Sequence, residues 1–114
     1  MLDVMPLQTA VDALADRLRS LPQSALARGS AAEGLALAEE LARRAQRIER
    51  LGRAPLTLPD AGMFAAGDQL AVAGHDLVEA LLQAAAAPDR DAEAAPAEEL
   101  AEAVRLVEDV AGRC

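Results

Sequence analysis

Large apolar residues recur every third or fourth position in four separate runs along this chain. Leu7, Val11, Leu14, Leu18 and Leu21 make the first, a continuous stripe on one side of an α-helix. Asp12, Asp16 and Arg19 fall on the other side. Pro6 suits a first helical turn, where its missing N–H costs nothing, and Pro22 stops the run. A helix is therefore predicted over residues 6–21.

Leu37, Leu41, Ala45 and Ile48, with Ala38 beside them, make the second run. Ser30 and Glu33 stand in the S-x-x-E order of a capping box, and Gly52 follows Leu51 where a left-handed C-terminal residue belongs. The preceding QSALARG reads as a short helical turn or a loop. RAPLTLPDAG carries two prolines and is predicted non-helical. Leu56 and Leu58 alternate around Thr57, so this segment is expected to lie extended across apolar surface.

The third helix is predicted from Gly62 to Ala87, with Asp60 as its cap and Pro88 as its stop. Residues 88–95 read as a polar, alanine-rich, mobile linker. The fourth helix starts near Pro96, with Leu100, Val104, Val107 and Ala111 as its stripe. Glu98, Glu99 and Glu102 in its first turns complement the helix dipole. No strand period competes and no repeat is visible. The pattern predicts an all-α fold, a bundle of four main amphipathic helices forming one domain over residues 1–114. The second and third helices are the longest and are expected to pair as a central hairpin. Because they outrun their shorter flanks, self-association into a homodimer is a further expectation.

Composition sharpens this picture. About a quarter of the residues are Ala, and there is one Phe with no Trp or Tyr. The core must be built from Leu, Val and Ala, which favours thin helices at close range. Few large side chains remain for stacking on bases or sugars. The net charge of −8 disfavours nucleic acid and anionic membranes as partners. The charge is uneven: residues 1–59 hold eight Arg against seven acids, and residues 60–114 hold three Arg against twelve acids. The single Cys114 excludes an internal disulfide framework. No signal peptide or membrane-spanning apolar run is read, so the cytoplasm is the expected compartment.

Three clusters could carry function. On a 100° wheel with Gly67 at zero, Met63 and Leu81 fall at about 320°, Leu70 at about 300°, Leu77 at about 280° and Val78 at about 20°. Phe64 and Leu82, at about 60°, close that apolar arc, and Gly67 and Gly74 lie within it. Glycine inside a helix costs roughly 1 kcal/mol against Ala, so two on one face predict the close approach of another helix, from this chain or a partner. The second cluster is Arg43, Arg44, Arg47 and Arg50, a surface that could hold a phosphate, an RNA strand or an acidic partner. Its arginines also have helical acid neighbours in the pairs Glu39–Arg43, Glu40–Arg44 and Glu49–Arg53.

The third cluster is Asp68, His75 and Glu79, on one stripe at the margin of the apolar arc. His75 and Glu79 are one turn apart, and Asp68 is roughly 10 Å from His75 along the axis. One helix supplies at most two ligands here, short of a zinc site, and no cofactor or metal is implied. The expected role of His75 is a boundary residue bonded to Glu79. No Ser or Thr stands in a nucleophile relay. The reading is a non-enzymatic helical protein–protein interaction or regulatory module. The rival is a small enzyme or a ligand- or metal-binding protein using Asp68, His75 and Glu79.

Overall fold

Pro6 lies in the first turn of α1 (Met5–Ser20), and just ahead of it the Asp3 carboxylate accepts a hydrogen bond from the Met5 amide at 3.1 Å. The predicted stripe is the buried one: Leu7, Val11, Leu14 and Leu18 face inward, joined by Ala15. The computed structural model describes residues 2–49, 62–86 and 96–114. Within these, QSALARG forms a short helical turn that ends at Gly29. A short α2 (Gln23–Ala25) widens into a turn over Leu26–Ser30, where the Ala31 amide bonds back to the Leu26 carbonyl.

Gly29 in that turn has φ 145°, a conformation that a side chain would strain, and it separates the turn from α3 (Ala31–Glu49). This arrangement replaces the predicted capping box. The preceding turn already satisfies the Ala31 amide, and Ser30 makes no side-chain hydrogen bond among the described residues. The Glu33 carboxylate instead accepts from Arg113 Nε at 2.7 Å.

A 3₁₀ turn, Met63–Ala65, leads into α4 (Ala66–Ala86), and α5 spans Pro96–Arg113. The α5 stripe is displaced from its prediction: Leu100, Ala103, Val107 and Val110 are buried, Val104 is half-buried and Ala111 is exposed. Packing on three helices at once selects the row that includes small Ala103. The expected features at Gly52, Leu56, Leu58, Asp60 and the 88–95 linker lie outside the described residues.

Side-chain neighbours fix the direction of each helix. A Cβ built on Gly34, near the start of α3, would meet Leu18 near the end of α1 and Ala66 at the start of α4. Arg47 at the far end of α3 meets Glu99 at the start of α5, and Arg113 at the end of α5 meets Glu33. Helices α3 and α4 therefore run parallel to each other and antiparallel to α1 and α5. The central hairpin expected from sequence is not formed, because periodicity carries no directional information. The long helices still pack closely, α4 lies between α3 and α1, and α5 touches all three. One core of Leu, Val, Ile and Ala residues joins the four main helices. No strand occurs and no helix is long and apolar enough to cross a membrane, among the described residues.

Candidate functional site at the α1–α4 seam

Gly67 and Gly74 are both buried, and the helix that covers them is α1 of the same chain. A Cβ on Gly67 would lie 2.7 Å from the Ala15 carbonyl oxygen, and one on Gly74 would lie 2.5 Å from Val11 Cγ1. The predicted close approach is real and intramolecular. This face is thus occupied, and as a surface for a partner it is taken.

The arginine cluster is likewise engaged within the chain. Arg44 is the hub: its Nε donates to Glu40 at 2.8 Å, and its Nη1 lies 3.4 Å from Glu102 and 3.8 Å from Glu99. Its side chain is only 16% exposed. Arg47 reaches Glu99 at 3.4 Å, and Arg43 bonds Glu40 at 3.0 Å in place of the predicted Glu39. Burial alone would raise the Glu40 carboxyl, but hydrogen bonds from Arg44 and Arg43 outweigh it and hold the group below its ordinary range. Burial would lower the Arg44 guanidinium, and the same pairing raises it instead. The acids of α5 thus meet the cations of α3 inside one molecule. Arg50 and the Glu49–Arg53 pair lie outside the described residues.

Asp68, His75 and Glu79 share the outer edge of α4 but do not converge. Asp68 accepts from Arg19 Nε at 2.8 Å, and Arg19 also reaches Asp16 at 3.0 Å. The Asp68 bond, the larger influence, raises the Arg19 guanidinium. His75 Nε2 lies 3.3 Å from Asp12 of α1, so its partner comes from across the seam and is not Glu79. Glu79 is exposed and has no ion-pair partner among the described residues. No group of three or more His, Cys, Asp or Glu side chains is placed to hold a metal ion, among the described residues. A groove of about 560 Å³ lies between Arg28, Gly29, Ser30, Glu33 and Arg113, and none of the three stripe residues lines it.

The feature that sequence reasoning missed is apolar. Phe64 is 68% exposed, Val72 60%, Met5 58% and Leu82 38%. Phe64, Asp68, Val72, His75, Glu79 and Leu82 follow one another at helical spacing along the outside of α4. Phe64 and Leu82 were expected to close the buried arc. Helix α1 instead comes so near, with the Ala15 carbonyl on Gly67 and the Val11 side chain on Gly74, that the arc's edge stays outside. Val72 had a legible signal: on the same wheel it falls at about 140°, well clear of the apolar arc, a large β-branched residue on a polar face. On α1, Met5 shares a side with Asp12, and the antiparallel packing brings it to the Leu82 end of the stripe. No protein-family model matches this chain, and no curated protein or solved structure is similar to it.

Proposed function

We propose that this chain is a non-enzymatic helical protein–protein interaction module whose working surface is the outer face of α4 with the adjoining edge of α1. One observation carries this reading. Phe64, Val72, Leu82 and Met5 leave large apolar side chains in water on one side of a bundle whose other apolar stripes, among the described residues, are buried. Single exposed apolar residues are ordinary, but a row of them along one helix face is the form that helix-reading interfaces take. Catalysis finds less support, because Asp68, His75 and Glu79 have separate surroundings and the groove beside Arg28, Gly29 and Arg113 is lined by none of them.

A photoreactive side chain placed at Val72, with the same group at Ala101 on α5 as control, tests this in the cells that make the protein. A discrete crosslinked species from position 72 and none from position 101 is expected, whether the captured chain is foreign or a second copy. No crosslink at 72, or equal crosslinking at both positions, would overturn the assignment of the surface.

A further inference from the structure

The charges around the exposed apolar row restrict what can dock on it. Five exposed acids flank the row: Asp12 and Asp16 on α1, and Asp68, Asp76 and Glu79 on α4. Among the described residues, the only arginine bonded to them is Arg19, already shared by Asp16 and Asp68, and His75 faces Asp12. Phe64, in the 3₁₀ turn that leads into α4, and Val72 and Leu82, on α4 itself, stand at the two ends and near the middle of the face. From Phe64 to Leu82 they span roughly 27 Å, at 1.5 Å per residue. That is the length of about five helical turns.

Resting on the surface assigned above, we propose that its partner is a basic amphipathic helix of another protein, of about 18 residues, laid along α4. Its apolar side chains would cover Phe64, Val72, Leu82 and Met5, and its Lys or Arg residues would reach the acids on both margins. Charge complementarity decides against the other candidate occupant. A second copy would bring the same acids against themselves, and like charges across an interface cost association. An acidic or neutral helix would satisfy the apolar row but leave Glu79 and Asp76 without partners.

The test uses the full chain, isotopically labelled, and three synthetic peptides of equal length. The first places Leu at helical spacing and Lys elsewhere. The second scrambles the same residues so that no apolar face forms. The third keeps the Leu pattern with Glu for Lys. The first peptide is expected to bind, with amide shifts confined to the 64–82 and 5–16 segments. Binding should weaken at least about tenfold when Phe64→Ser and Val72→Ser are combined, the scale of losing central apolar anchors. It should also weaken, with a shallower salt dependence, in the Asp76→Asn/Glu79→Gln variant. Equal binding of the scrambled or the Glu peptide, shifts elsewhere on the bundle, or no binding would overturn the inference. So would a concentration-dependent dimer that Val72→Ser dissociates, although that result would leave the proposed working surface standing.

Discussion

Val11 fills the space that a side chain on Gly74 would need. A Cβ at that position would come within 2.5 Å of Val11 Cγ1, 2.9 Å of Cγ2 and 3.2 Å of Cβ. The contact lets α1 close over α4, and it makes the glycines of this bundle unequal. Gly67 faces backbone, the Ala15 carbonyl at 2.7 Å, which cannot rotate away. Gly34 faces the tip of the Leu18 side chain at 2.7 Å, which can. Gly112 faces nothing within 4 Å. We expect Gly67→Ala and Gly74→Ala to destabilise by about 1–3 kcal/mol, despite the better helix propensity of Ala. Gly34→Ala should be close to neutral, and Gly112→Ala should stabilise by up to about 0.5 kcal/mol near its frayed helix end. Chemical denaturation of the four variants checks the order. A neutral Gly67→Ala would show that α1 does not approach α4 this closely.

The α3–α5 seam should give the protein an acid-sensitive component. Glu40 is held below the ordinary glutamate value of 4.5 because its bonds to Arg44 and Arg43 outweigh the opposing effect of burial. The unfolded chain then binds more protons than the folded one as pH falls through this range. The stability that Glu40 contributes is present in full at neutral pH and is lost below about pH 5. Glu40→Gln is expected to be less stable than wild type at pH 7, with the gap narrowing as the pH falls through and below the ordinary glutamate range. Urea melts across that range measure it. A gap independent of pH would contradict the pairing.

His75 sits across from Asp12 at 3.3 Å with both side chains about half exposed. Exposed pairs of this kind contribute little, so His75→Gln should change stability at pH 7 by less than about 1 kcal/mol. Thermal melts and metal content of both proteins, purified without a metal-affinity tag, provide the measurement. Stoichiometric metal in the wild type that disappears in the variant, with a large loss of stability, would make His75 part of a site.

The helical stripes were legible because a 3.6-residue period records which side of each helix is buried, as Leu7, Val11, Leu14 and Leu18 illustrate. Gly67 and Gly74 recorded a close approach for the same reason. What approached them was not legible, since a glycine states that room is needed and not which helix fills it. Helix direction was also hidden, because Leu37 and Leu70 would be buried in a parallel or an antiparallel pair alike. Glu33 shows a third gap. Its place in an S-x-x-E pattern is local, whereas the attraction of Arg113, eighty positions away, belongs to the folded chain alone. His75 was read against its own helix and found its partner on another.

The working surface assigned to α4 rests on Phe64 and Val72 contributing little to the fold, and the free energy of unfolding of the Phe64→Ser/Val72→Ser double variant measures that directly. Ser and Val have similar helix propensities, so position 72 carries little backbone effect. With both side chains in water, the variant should unfold within about 0.5 kcal/mol of wild type and retain its helix content. A loss of about 2 kcal/mol or more, the scale of truncating core side chains, would place Phe64 and Val72 inside the fold and contradict the account.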